Sequence, residues 1–223
     1  MRSVSLPRVL VASNGRDLPG SPGPDTGVLL RDLDLETLAD VAGMGMPRMA
    51  VDMDSVGGLN ADASAVRFVT RRLGIGIVMS RRPAVVARVA ELGCLALLRI
   101  FAFDSTGLGR SLDGHPRHEG IGTVISPGPV LAHLSAEDLD RLPRPLVAYG
   151  LVDTPARALA LLRQADAVVI SAECAMDLAA ASRATAGAGP RAAPPQAPAP
   201  RPQNSLDSRV REDYNIVSLN LRD

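Results

Sequence analysis

The chain has 223 residues, 46% of them hydrophobic but only 2% aromatic and none of them Trp, so Ala, Val and Leu have to build its core. Its 24 basic and 24 acidic residues cancel to zero formal charge, which argues against broad, unspecific binding of polyanions. No apolar run approaches the ~20 residues of a membrane span, and Pro7 and Arg8 interrupt any signal-peptide core, so a soluble cytoplasmic protein is expected.

In chain order, the first predicted strand is the apolar run 9–12. Residues 15–27, rich in Gly, Pro, Ser and Asp, read as a long loop before a second strand at 28–30. Asp34 then caps a helix carried by Leu35, Leu38, Ala39 and Ala42. Further strands are predicted at 49–53, 75–79, 95–100, 121–125, 146–148 and 167–170. Helical periodicity fills the gaps: Val66, Val69 and Leu73 after Asn60 and Asp62; Val85, Val86, Val89 and Leu92 between Pro83 and Gly93; Ala158, Leu159, Leu161 and Leu162 after Thr154-Pro155. Strands alternating with helices predict a small α/β fold, a (βα)8-type barrel over residues 1–181, with an open doubly wound sheet as the alternative. Residues 182–223 form an Ala/Pro-rich segment around Pro194-Pro195-Gln196-Ala197-Pro198 and are expected to be a disordered tail. Strand-like alternation returns in Asp213-Tyr214-Asn215-Ile216-Val217-Ser218-Leu219-Asn220-Leu221, either a docking motif or a residual tail.

The polar residues collect where apolar runs end. Arg99 and Asp104-Ser105 close the run from Leu95; Asp52 and Asp54 close the third strand, Ser80-Arg81 the fourth and Ser126-Pro127-Gly128 the sixth. In a parallel barrel these ends meet solvent on one edge, where ligands bind, so they read as one shared site. Arg99 is costly to bury without an anionic partner: it either clamps a phosphate or carboxylate, or pairs with Asp52, Asp54 or Asp104 as structural glue. Asp104 also has the position of a helix cap. Asp52 and Asp54, two apart on a strand, are expected to share a face, as an acid/base or metal-holding pair or as solvated rim charges. His115, His118 and His133 stand elsewhere, so no metal or cofactor is assigned. Pro127-Gly128 and Tyr149-Gly150 at late strand-to-helix turns, with the Ser171 hydroxyl, are candidates for a phosphate cradle. The doublets Arg71-Arg72 and Arg81-Arg82 are solvated helix ends or nucleic-acid contacts, in a chain nearly lacking the aromatics that stack on bases. Cys94 and Cys174 lie in apolar runs and read as reduced packing residues.

These blocks together resemble the glycerol-3-phosphate-responsive antiterminators, bacterial regulators of glycerol utilisation. The resemblance rests on Gly27-Val28-Leu29-Leu30, on Asp54-Ser55-Val56-Gly57-Gly58-Leu59 with Asp62, and on Gly76-Ile77-Val78-Met79-Ser80-Arg81. It continues through Arg99-Ile100-Phe101-Ala102-Phe103-Asp104-Ser105, Pro127-Gly128, Ala148-Tyr149-Gly150-Leu151-Val152 and Ala167-Val168-Val169-Ile170-Ser171. It implies a small TIM-like barrel that senses glycerol 3-phosphate, or a similar small phosphorylated effector, and acts on leader mRNA to prevent transcription termination. By that resemblance Arg81 and Arg99 balance ligand charge, Asp54 and Asp104 bind hydroxyls or orient the arginines, and Gly128, Gly150 and Ser171 line the phosphate end. No catalytic residue is implied, and self-association is left open. The chain departs from the family pattern at several points: Leu98 stands for a Gln, Asp52 for a His, Tyr149 for the first of two glycines and Asp153 for an Arg, while Ser171-Ala172-Glu173 replaces a Ser-Thr-Ser-like ending. Two other classes remain: a small-barrel lyase or isomerase acting on a sugar or triose phosphate through Asp52 and Asp54, and an interaction module working through its Pro-rich tail. A diverged homologue without effector binding is a further alternative.

Overall fold

Eight parallel strands close on themselves into a barrel: β1 (Val9–Ser13), β2 (Thr26–Leu30), β3 (Met49–Asp52), β4 (Ile77–Ser80), β5 (Leu95–Phe101), β6 (Ile121–Ser126), β7 (Leu146–Tyr149) and β8 (Ala167–Ile170). The computed structural model describes residues 5–18, 23 and 25–187. Each strand pairs with its neighbours in sequence, and β1 meets β8 through Val9↔Val168, Leu10↔Val169 and Val11↔Ile170. Helices α1 (Leu35–Gly43), α2 (Ala63–Arg67), α3 (Pro83–Glu91), α4 (Ser105–Asp113), α5 (Ala136–Arg141), α6 (Pro155–Leu161) and α7 (Ala172–Gly187) follow the strands from β2 onward. The described residues between β1 and β2, namely 14–18, 23 and 25, are not helical. A two-residue parallel pair, Leu33–Asp34 with Val56–Gly57, ties the turns after β2 and β3 together.

Helix starts are fixed by caps written into the sequence. The Asp34 carboxylate accepts the Thr37 amide at 2.7 Å, Asp62 accepts those of Ser64 and Ala65, and Thr154 accepts that of Arg157 with Pro155 at the first helical turn. Past the end of α3, Gly93 takes a φ of +74°, where a side chain is strained. The helix α2 runs on into a π-helical turn, Phe68–Arg72.

The apolar residues sort into two layers. Leu10, Leu29, Ala50, Ile77, Leu97, Val124 and Val147 fill the barrel interior, while Val28, Val51, Val78, Ile125 and Val168 face outward under the helices. Strands buried on both faces need apolar residues at successive positions, which is why they read as continuous runs. Close approach sets one glycine: a Cβ at Gly122 would lie 2.3 Å from the Pro145 carbonyl oxygen.

Three details differ from expectation. The third strand ends at Asp52, because residues 53–55 coil into a 3₁₀ turn whose Asp54 amide the Asp52 carboxylate caps. Asp54 is thereby taken off the strand, and the pair does not share a strand face. The Ala-rich segment past Ala181 continues α7 to Gly187, as the helix propensity of alanine favours. Residues 188–223, with the Pro-rich stretch and the terminal alternation, lie outside the described residues. No described helix is long and apolar enough to cross a membrane.

Candidate functional site

The carboxyl ends of the strands carry a connected set of charged and aromatic side chains. On β5, Arg99 follows Leu97 on the inward face, and its guanidinium lies across the top of the barrel. Its Nη1 donates to Asp52 Oδ2 at 3.1 Å, so of the three carboxylates expected to compete for it, Asp52 holds it. The guanidinium lies between two rings, 4.8 Å from the Phe101 centroid and 4.3 Å from that of Tyr149. Phe103, which is exposed, stacks on Phe101 at 5.6 Å. A second arginine also reaches Tyr149: Arg31, directly after β2, has its guanidinium carbon 5.5 Å from the ring centroid and its Nη1 donates to the phenol oxygen. A ladder Phe103, Phe101, Arg99, Tyr149, Arg31 thus crosses the mouth from β5 through β7 to β2.

Burial shapes the protonation of this set. The Asp52 side chain is 2% exposed, and desolvation lifts its carboxyl above the ordinary range even though Arg99 pulls it down. Burial likewise raises the Tyr149 phenol against the pull of Arg31 and Arg99, leaving it neutral at physiological pH. Arg99 Nε is buried and has no acceptor, a donor with unfilled capacity in the middle of the mouth.

The expected site residues fall into separate groups. Asp54 accepts from Ser80 Oγ at 3.0 Å, from the Arg81 amide at 2.5 Å and from Arg81 Nε at 3.4 Å, and pairs with Arg82, which fixes the turn after β4. Asp54 and Arg81 are therefore brought together, with Arg81 exposed. Asp104 is exposed and caps α4 by accepting the Gly107 amide at 2.6 Å; it does not meet Arg99. The Gly128 amide donates to the Gly150 carbonyl at 3.1 Å, so it is not free to hold a phosphate. Ser171 caps α7 through the Cys174 amide at 3.2 Å. It also lines a cleft of about 480 Å³ at the mouth, with Ser13, Asn14, Asp17, Arg31, Asp32 and Glu173.

Sequence reasoning misses Arg31 and places only the backbone of Tyr149. Arg31 carries the signal that picks out Arg99, a guanidinium directly after an apolar run, but that run reads as leading into a helix. Among the described residues no group of three or more His, Cys, Asp or Glu is placed to hold a metal ion. Cys94 and Cys174 are free thiols raised by burial.

Comparison with known proteins gives a family match over residues 31–175, to the family described as glycerol-3-phosphate responsive antiterminator. No curated protein matches. Among solved structures, a glycerol uptake operon antiterminator regulatory protein from Listeria monocytogenes is similar with a TM-score of 0.64 at 18% identity, over 75% of this chain and 93% of that one. A glycerol uptake operon antiterminator-related protein from Thermotoga maritima is similar with a TM-score of 0.60 at 22% identity, over 75% of this chain and 96% of that one. At these identities the two structures bear on the fold, and both share it.

Proposed function

Because the chain belongs to the glycerol-3-phosphate responsive antiterminator family, we propose that it is a cytoplasmic antitermination regulator that takes glycerol 3-phosphate at its barrel mouth and acts on leader mRNA. The observation that carries this reading is the pair of guanidiniums, Arg31 and Arg99, set at the carboxyl ends of β2 and β5 where barrels bind ligands. A polyol phosphate has two chemistries, and the mouth offers a partner for each. Arginine forks suit the phosphate oxygens, while Glu173 in the adjoining cleft, and the second oxygen of Asp32, whose Oδ2 pairs with Arg31, suit hydroxyl donors.

The regulatory reading also accounts for the two aspartates. Asp52 is occupied by Arg99 and the Asp54 amide, and Asp54 by Ser80 and Arg81, so neither carboxylate stands open as an acid or base for a lyase or isomerase. The exposed Arg71-Arg72 and Arg81-Arg82 doublets supply phosphate contacts for RNA. If effector and RNA favour one conformation, each changes the other's affinity by the same factor. Calorimetry of the purified protein with glycerol 3-phosphate, against glycerol and inorganic phosphate, tests the effector; absence of heat at millimolar ligand removes it. Retention of a labelled terminator stem–loop RNA with and without effector tests the coupling.

A further inference from the structure

We propose that Tyr149 is a placeholder in the effector site: its phenol oxygen holds the Arg31 donor that an anionic effector takes over, and its ring moves aside when the effector binds. This rests on the effector reading above and adds how the site is regulated and which residue sets its affinity.

Four observations converge on it. The ring is 4% exposed and fills the mouth between two guanidiniums, Arg99 at 4.3 Å and Arg31 at 5.5 Å from its centroid. Its oxygen accepts a hydrogen bond from Arg31 Nη1 in the role of an anion oxygen, but without the charge that makes such a bond strong. Arg99 Nε beside it is buried and unpartnered, a cost that an incoming acceptor removes and a phenol on Arg31 does not. The backbone just after the ring is also strained: beyond Gly150, which tolerates its φ of +79°, Leu151, an ordinary side chain that is 68% exposed, has φ +56°. A small phosphomonoester in the place of the phenol satisfies Arg31 and Arg99 together and releases the ring toward solvent. A ligand without an anionic group gains nothing from the exchange.

The chain supplies its own reporter, since it contains no Trp and only two Tyr, Tyr149 and Tyr214. In a Tyr214→Phe background, tyrosine emission reads Tyr149 alone. The experiment titrates this protein with glycerol 3-phosphate and with inorganic phosphate by emission and by calorimetry, and the same protein carrying Tyr149→Phe or Tyr149→Ala by calorimetry alone, since those variants retain no tyrosine. The placeholder predicts an emission change whose midpoint matches that of the heat. It also predicts about tenfold tighter binding in Tyr149→Phe, which frees the Arg31 Nη1 donor without emptying the mouth while Nε and Nη2 stay on Asp32, as loss of one competing hydrogen bond to a charged group implies. Binding by the variants with none by the parent supports it in the strongest form, a mouth held shut by the ring. Heat without an emission change, or Tyr149→Phe binding no tighter than the parent, overturns the placeholder and leaves the effector reading standing. No heat in any of the proteins overturns both. If Tyr149→Ala fails to fold, Tyr149→Phe and the emission of the parent decide the matter alone.

Discussion

Replacing Arg99 by methionine isolates what the buried ion pair does. The substitution leaves an apolar stem to pack between Phe101 and Tyr149 but strands the Asp52 carboxylate, 2% exposed, without the cation that stood 3.1 Å away. Removing one partner of a buried pair costs about 3–5 kcal/mol. Two features hold the expected loss to about 3 kcal/mol near neutral pH: the Asp54 amide still donates to Asp52, and the carboxylate can escape by taking a proton. That escape gives the prediction its sign. Burial already places the Asp52 pKa above its unfolded value of 3.8, and without Arg99 it rises further. The native state then binds the proton more readily than the unfolded chain, so stability falls as pH rises from the unfolded value through the raised one, and recovers in acid. The loss in Arg99→Met should shrink by about 1.4 kcal/mol per pH unit on acidification between the variant's Asp52 pKa and the parent's, which burial also raises. Urea unfolding followed by far-UV circular dichroism, near neutral pH and at about pH 5, measures both quantities. Adding Asp52→Asn to Arg99→Met should restore most of the loss, since no buried charge is left. A loss below about 1 kcal/mol, or one equal at both pH values, refutes the reasoning.

Three other outcomes follow from the geometry. Asp104→Ala removes the α4 cap and should cost about 1 kcal/mol of stability while leaving the midpoint of a glycerol 3-phosphate titration unchanged; a lost midpoint would return Asp104 to the site. Gly122→Ala drives a Cβ to 2.3 Å from backbone that cannot yield, the Pro145 carbonyl oxygen, and should cost about 3 kcal/mol or more in urea unfolding. Near-parental stability in the Gly122→Ala protein would show that β6 and the segment before β7 can part. Asp34 is held below the ordinary carboxylate range by the Thr37 amide, so what it adds to stability is present above its unfolded pKa and disappears as pH falls through the folded one. The stability gap between parent and Asp34→Asn should therefore close in acid; a gap that persists into strong acid contradicts the cap.

The barrel was legible because its strands are buried on both faces. Val51, Val78 and Ile125 had to be as apolar as the inward residues beside them, so each strand announced itself as an unbroken run. Asp34 and Asp104 were legible as caps, and Thr154-Pro155 as a helix start, because a side-chain acceptor beside a helical period has one local use. The site was legible only as a zone. Strand spacing pairs Asp52 with Asp54, but three residues of 3₁₀ turn redirect the second to Ser80 and Arg81, and nothing in the local sequence marks that turn. The departure of Tyr149 from the family's glycine was visible, but its meaning depends on where Arg31 and Arg99 stand, on strands far away in sequence. The amide of Gly128, expected to face a ligand, is claimed by a carbonyl across the neighbouring turn, a tertiary fact that no local motif shows.

The union of β1 with β8 has a consequence for how the protein comes into being. On the ribosome, β1 emerges early and its outer edge has no mate until Ala167 to Ile170 has left the exit tunnel. Until then the growing sheet is an open ribbon with two adhesive margins, the condition that invites aggregation. The circle also makes the order of its segments arbitrary once it is closed. A gene rearranged so that translation starts in the loop before β2 and ends after β1, with a linker behind α7, should yield the same ring of strands.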